Sequence, residues 1–163
     1  MYFEKISLGE WIDWWNNHPH GFSEEEIIGF YDKIELPKAG SQFAAGHDFH
    51  CPIPICISST PVLLPTGIRW VTEEWDKNLV LLMMPRSGLG TKFGMRLRNT
   101  VGVIDADYYM AANEGHIMAS ITTEKECFLG AGDRFLQGVI VPYYRCGENS
   151  NAARTGGFGS TGQ

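Results

Sequence analysis

Positive charge is scarce in this chain: 13 Lys and Arg stand against 19 Asp and Glu, a net charge of −6. A protein that binds DNA or RNA along its backbone needs a basic face to neutralise phosphates, so no direct nucleic-acid partner is expected. A small anion is not excluded, because a few arginines focused in a cleft can hold one inside an acidic protein. No apolar run approaches the ~18 residues that suggest a membrane span. The opening Met1-Tyr2-Phe3-Glu4-Lys5 lacks the basic lead and apolar stretch of a signal peptide. Cysteine is sparse as well: Cys51, Cys56, Cys127 and Cys146 include no CxxC pair, and four reduced thiols in a cytoplasmic protein are expected. His47, His50, Cys51 and Cys56 are residue types that zinc uses. In an extended strand, however, the two histidines face opposite sides, and Pro52 and Pro54 restrict folding back, so no zinc site is expected. No long helical pattern follows a strand, which excludes a βαβ sheet.

What is present suits one soluble domain. The 163 residues are 44% apolar and 20% charged, enough to bury a core without disulfides. Residues 2–6 read as a short strand or arm. Ser7-Leu8-Gly9-Glu10 reads as a capping box opening a helix of roughly 10 residues, with Trp11, Ile12, Trp14 and Trp15 as a bulky apolar surface. Asn16-Asn17-His18-Pro19 ends it. A second box, Ser23-Glu24-Glu25-Glu26, opens a shorter helix through Tyr31, with its glutamates favouring the helix N terminus. This helical element, 7–31, is expected to pack on the domain or on a partner subunit. From Ile34 onward, short apolar and β-branched runs alternate with turns at 53–57, 62–64, 68–71, 79–84, 101–104, 117–122 and 138–143. Prolines 52, 54, 61, 65, 85 and 142 belong at strand edges and ends. The expected fold is all-β: a barrel or jelly-roll-like body over 1–148. Residues 149–163 form a Gly-rich tail whose composition predicts disorder in isolation.

Four polar islands stand out from ordinary turns. Ala45-Gly46-His47-Asp48-Phe49 suits a tight turn entering a strand. Pro85-Arg86-Ser87-Gly88-Leu89-Gly90-Thr91-Lys92 is dense in donors; Arg86 offers a planar fork, Ser87 a hydroxyl, and the glycines let amides face an anion. It is not a Walker A loop, since the GxxxxGK[ST] order is absent and no helix is predicted behind it. Gly102-Val103-Ile104-Asp105-Ala106-Asp107-Tyr108-Tyr109 sets two carboxylates at i and i+2. They share a face if the segment is extended and point apart if it is bent; solvated acids at a hairpin entrance are the plain alternative. An ionised Asp there is suited to orienting and activating a water. The fourth island is Gly132-Asp133-Arg134-Phe135-Leu136-Gln137, taken with the tail. Its Asp-Arg step alone reads as a surface ion pair of ~0–1 kcal/mol. In the tail, Arg154, Ser160, Thr161 and the glycine amides suit phosphate oxygens, and Phe158 is a single stacking surface.

In order, these islands resemble the five motifs of the trimeric dUTP pyrophosphatase (dUTPase) family. The resemblance runs from about Leu36 to the C terminus, and motifs two, three and five are specific together. It implies a distorted jelly-roll barrel assembled as a homotrimer in which three chains share each site. It further implies hydrolysis of dUTP to dUMP and pyrophosphate. Asp105 falls where the family holds the attacking water, and Tyr108 where a tyrosine beneath the deoxyribose excludes a 2′-hydroxyl. Asn99 and nearby backbone would read uracil. Ser87, with Arg86 and Gly88, and Gln137 would face the phosphates. Arg154, Gly159, Ser160 and Thr161 would grip the outer phosphates, with Phe158 over the base. Asp48, Asp107, Asp133 and Arg134 fall in supporting positions. The implied cofactor is Mg2+, carried by the phosphates and water and not by direct protein ligands.

The chain departs from the family pattern in three places. Arg-Gly-Glu usually follows the third-motif tyrosine; here the order is Tyr108-Tyr109-Met110-Ala111-Ala112-Asn113-Glu114-Gly115-His116, read as a lengthened hairpin with His116 at the surface. Arg154 lies one residue closer to the paired glycines than usual, so Arg145 is a second candidate. The helices before Leu36 are additional, and they are candidates for capping the barrel, widening an interface or binding a protein partner. Two other functions compete. A dCTP deaminase would need a catalytic glutamate near the hairpin, for which Glu114 is the candidate. A phage-like regulatory protein would keep the nucleotide-binding body and use the added helices on a partner.

Overall fold

A computed structural model describes residues 1–147. Chain order is β1 (Tyr2–Lys5), α1 (Leu8–Asn16), α2 (Glu24–Asp32), β2 (Lys38–Ala39), β3 (Gly46–His50), β4 (Ile55–Ile57), β5 (Val62–Pro65) and β6 (Ile68–Val71). Then come β7 (Leu79–Pro85), α3 (Ser87–Phe93), β8 (Arg96–Leu97), β9 (Gly102–Asp105), β10 (Met118–Thr122), β11 (Cys127–Leu129) and β12 (Arg134–Pro142). The strands pair antiparallel throughout, as β1-β6, β5-β10-β8, β11-β4 and β2-β3-β12-β7-β9.

The chain is therefore mostly β-sheet, with open sheets instead of the closed barrel expected from the sequence. Proline punctuation gives a physical reason. Pro65, Pro85 and Pro142 each end a strand, and Pro52, Pro54 and Pro61 sit in the connections. A residue without an amide hydrogen cannot extend a ladder. The strands stay short, and side-chain packing joins the sheets. One core runs through them, with Trp11, Phe49, Trp70, Leu81, Ile121 and Phe135 at 1% exposure or less.

The N-terminal helices are part of this core. Ser7 caps α1 by accepting from the Glu10 amide at 3.1 Å. Ser23 and Glu26 form the reciprocal box at the start of α2. Trp11, Trp14 and Trp15 are all buried. The Trp11 indole donates to the Ile27 carbonyl at 2.8 Å, which satisfies its polar atom inside the apolar contact. The tryptophan face is thus covered by the same chain. At the other end of the sequence, the predicted run 138–143 begins earlier, at Arg134. A register shift between Arg134 and Leu136 lets β12 pair with both β3 and β7. This strand links three of the four islands.

Candidate active site

Three islands meet at one end of the five-stranded sheet. Asp48 on β3 lies opposite Gln137 on β12, which lies opposite Met84 on β7. The chain then turns through Pro85 into Arg86. Asp48 is buried, and its two oxygens are divided between two cations: Arg86 Nε lies 3.1 Å from Oδ1 and Arg134 Nη1 lies 3.1 Å from Oδ2. A buried carboxylate persists when it is paired in this way. Arg86 and Arg134 are 35% and 49% exposed at the side chain, so both remain open to an anion. With Gln137, Gly46, Gly40 and Ser41 they line an open cleft of ≈ 400 Å³. Arg134 therefore pairs with Asp48 and not with its neighbour Asp133, whose carboxylate accepts from the Gly130 amide at 2.7 Å and closes a turn.

The donor-rich second island is a helix where the sequence predicted only a loop. Arg86 is its N-cap, Ser87 to Phe93 form α3, and Gly94 stops it in the left-handed conformation at φ 65°. The glycines at 88 and 90 sit inside the helix, so it stands on its anchors. The Arg86 amide donates to the Phe135 carbonyl at 3.0 Å, and the Gly94 amide donates to the Gly90 carbonyl at 2.9 Å. Ser87 and Gly88 are exposed in its first turn, where helix amides point outward.

The third island lies elsewhere in the same chain. Asp105 ends β9 opposite Val80, five residues before Pro85 on β7. At strand rise this sets it about 17 Å from the cleft along β7. The segment bends directly after it. Asp107 adopts φ −95° and ψ 0° ahead of a 3-10 turn over Tyr108–Met110, so the bent alternative for the two carboxylates is the one adopted. β9 and β10 do not pair with each other. The expected lengthened hairpin is instead a crossover that carries the chain from the five-stranded sheet to the β5-β10-β8 sheet.

Tyr108 is buried at 5% exposure. Its hydroxyl donates to the His116 carbonyl at 3.1 Å and accepts from Asn113 Nδ2 at 3.0 Å. The hydroxyl proton is thus committed within the chain. Asn99 is exposed beside a cavity of only ≈ 30 Å³, bounded also by Met83, Gly102 and Ile104. That is room for water and not for a base ring. Arg145 donates to the Lys77 carbonyl at 3.1 Å. Arg154, Phe158, Gly159, Ser160 and Thr161 lie outside the described residues.

Sequence reading missed a polar network behind the third island. His116, expected at the surface, is 0% exposed. Its Nε2 accepts from the Gly67 amide at 3.0 Å, which leaves Nδ1 to carry the proton, 3.6 Å from Glu10 Oε1. Burial is the main influence and holds the imidazole below its ordinary pKa, against the opposing pull of Glu10 and Glu114. Glu114 completes the cap that Glu10 leaves open, since it accepts from the Ser7 amide at 2.8 Å and the Ser7 hydroxyl at 2.6 Å. Burial opposes its ionisation, yet the Ser7 donors and Arg69 prevail and hold its carboxyl below the usual range. The SxxE string marked the site of a cap; nothing in the local sequence pointed to a glutamate 107 residues away.

Fold and site together define an open-sheet β protein with an arginine-lined cleft at one end of β7 and a separate strand-end aspartate at the other. Comparison with known proteins narrows the class. The dUTPase family model matches residues 32–162. The deoxyuridine 5′-triphosphate nucleotidohydrolase of Lactococcus lactis is 36% identical over 146 residues, covering 84% of this chain and 95% of that one. The enzyme of the same name from Shewanella sediminis is 37% identical over 141 residues, covering 80% of this chain and 88% of that one. The crystal structure of dUTPase from Streptococcus mutans superposes with TM-score 0.66 at 32% identity, covering 91% of this chain and all of that one. A phage phi11 dUTPase from Staphylococcus aureus, described with a structural Mg(II) ion, shares the fold at 18% identity and TM-score 0.60, covering 73% of this chain and 90% of that one. The chain belongs to the dUTPase family.

Proposed function

We propose that the protein hydrolyses dUTP to dUMP and pyrophosphate in sites assembled between subunits of a homotrimer. The observation that carries this reading is the separation along β7. One chain holds the anion cleft of Arg86, Arg134 and Gln137 at the Pro85 end and Asp105 at the Val80 end. Neither end suffices, and a neighbouring copy is the simplest source of the missing half. β9 is also the sheet edge, with Val103 57% exposed on it; a subunit contact would cover that edge.

In this scheme Gln137, Ser87 and the Gly88 amide bind phosphate oxygens, while Arg86 is held in orientation by Asp48. Arg134 and Asp133 brace the same wall. A neighbour's Asp105 accepts a proton from water as the water oxygen bonds to the α phosphorus. The bond from that phosphorus to the bridging oxygen breaks, and pyrophosphate leaves. Positioning and charge stabilisation bear most of the catalytic burden. The Tyr108 ring closes the sugar side against a 2′-hydroxyl. Asn99 and nearby backbone read uracil once neighbour and tail complete the pocket. Asp107 supports the bend. Residues 1–148 form the body in this reading, its sheets packed in jelly-roll fashion. To the tail 149–163, outside the described residues, this reading gives the roles of phosphate binding (Arg154, Gly159, Ser160 and Thr161) and base contact (Phe158).

Mg2+ fits as an ion carried by the substrate. The cleft's own carboxylate, Asp48, is already compensated by two guanidiniums, and phosphate and water oxygens are the hard ligands this ion prefers. When bound it neutralises charge on the triphosphate. A cytoplasmic setting is consistent with the four free thiols, and no helix among the described residues is long and apolar enough to cross a membrane. A protein partner at the N-terminal helices is an added role in this reading; they would use their outer faces, since the tryptophan face is covered. The deaminase alternative loses its candidate, because Glu114 caps Ser7 and faces Arg69 at 4.0 Å.

The test is Asp105→Asn. Pyrophosphate release from dUTP should fall ~10²–10⁴-fold with nucleotide affinity retained. Undiminished dUMP formation would remove Asp105 from the mechanism, and ammonia release from dCTP by the wild type would reassign the reaction.

A further inference from the structure

The contacts between α1 and the crossover 111–117 have no role in the function described so far. They tie the N terminus of a helix that lies before the family match at 32–162 to the segment that holds Tyr108. Glu114 adopts φ 56° and Gly115 φ 75°. The left-handed region is disfavoured by roughly 1–2 kcal/mol for a residue with a Cβ; besides the turn's own bonds, among them the Glu114 amide to the Ala111 carbonyl at 2.9 Å, Glu114 has a holder outside the turn. That holder is Ser7, with donors at 2.8 and 2.6 Å on the two carboxylate oxygens. Arg69 stands behind them and is itself paired to Glu4 on β1, Nη2 to Oε1, at 2.6 Å. Gly115 then folds back so closely that a Cβ would collide with the Tyr108 and Tyr109 backbone. Asn113 and the His116 carbonyl, on either side of the held residue, are partners of the Tyr108 hydroxyl.

We infer that Ser7 and Glu114 are positioning residues for Tyr108, so that the added N-terminal helix tunes selection for the deoxy sugar. The inference rests on the reading of Tyr108 as the wall of the sugar pocket. The chain of cause has three steps. The Ser7–Glu114 contacts fix the left-handed turn, the turn fixes Asn113 and the His116 carbonyl, and these two fix the phenol. Loosening the first step allows the ring to shift without changing any group that touches phosphate or water. A displacement of about 1 Å among reacting groups costs up to ~100-fold in rate; here the shift falls on the sugar wall and not on the reacting atoms, so it is read in the choice between sugars.

The experiment compares kcat and KM for dUTP and for UTP in wild type, Ser7→Ala, Ser7→Thr and Glu114→Gln, each confirmed as folded and assembled. Ser7→Ala and Glu114→Gln should lower the dUTP-over-UTP preference roughly tenfold, mainly through a higher KM for dUTP and a gain on UTP, with kcat for dUTP within about twofold. Ser7→Thr keeps the hydroxyl and should restore the wild-type ratio. An unchanged preference in the folded variants would overturn the proposal. So would a uniform drop in kcat on both nucleotides, which would mark general structural support. If Ser7→Ala does not fold, Glu114→Gln carries the same test. Failure of the functional reading itself looks different, because wild type would then not release pyrophosphate from dUTP at all.

Discussion

The two ends of β7 solve different problems. At the Pro85 end the contacts are local: Asp48 divides its oxygens between Arg86 and Arg134, which line the cleft above the β3-β12-β7 ladder. At the Val80 end Asp105 sits where an edge strand turns into a crossover, and that crossover is held in place by residues from the far N terminus. In our reading the first end binds, and the second, braced from a distance, reacts. On that reading, with the halves about 17 Å apart along one strand, activity needs assembly and isolated subunits should be inert.

The strongest way to break this comparison is to disable the two ends in separate chains. Asp105→Asn and Arg86→Ala should each lose at least ~100-fold in dUTP hydrolysis. Co-expression should then revive activity, because about a quarter of the sites in randomly mixed trimers would combine an intact cleft from one chain with an intact Asp105 from another. Pyrophosphate release from purified mixed trimers measures this. If verified mixed trimers stay as inactive as the parents, both halves belong to one chain and the argument from β7 is wrong.

A smaller effect sharpens the account of the Pro85 end. Asp48→Asn removes the charge that both guanidiniums share while nearly preserving shape. Losing one partner of a buried pair is costly, but the two arginines are 35% and 49% exposed and water compensates part of the loss. We expect about 1–2 kcal/mol from urea unfolding, together with a raised KM for dUTP as Arg86 loses its orientation. A change in kcat alone, at normal KM and stability, would move Asp48 out of its supporting position.

What the sequence made legible follows the range of the interactions. The strands at 62–65, 68–71, 79–85 and 118–122, the proline-marked ends and the Ser23 box all depend on neighbours within a few residues, and these were readable. The family was readable from the order of the polar islands, and the family match over residues 32–162 agrees with it. Three things were not. The helix after Arg86 is rich in glycine and poor in propensity; Gly94 stops it and the Arg86 amide ties its start to the distant Phe135 carbonyl. Asp107 was read with both outcomes open, because only the bend after Asp105 decides them. His116 is a polar residue at the end of a polar loop, and its burial comes from Gly67, Trp11 and Trp14, contacts between distant parts of the chain. Long-range packing overrode local signals most strongly at the braced end.

That end should also be the one that responds to mild acid. His116 is fully buried with Nε2 accepting from the Gly67 amide, so a second proton has no place without breaking that bond. Burial lowers its folded pKa below the unfolded value of 6.5, outweighing the pull of Glu10 and Glu114, while His18 pushes the same way as burial. Above 6.5 both states are neutral at this site and its contribution to stability is complete. As pH falls through 6.5 the unfolded chain takes up the proton and the folded one does not, so stability declines until the folded pKa is reached. One proton sets the limit at about 1.4 kcal/mol per pH unit. Urea unfolding of wild type and His116→Gln between pH 7.5 and 5.5 isolates the effect, because other titrating groups are common to both. The variant should be less stable at pH 7.5, and the gap should narrow on acidification. A gap that stays constant would mean that His116 accepts a proton in the folded state as readily as in the unfolded one, and that the braced end is not closed to water in the way its geometry implies.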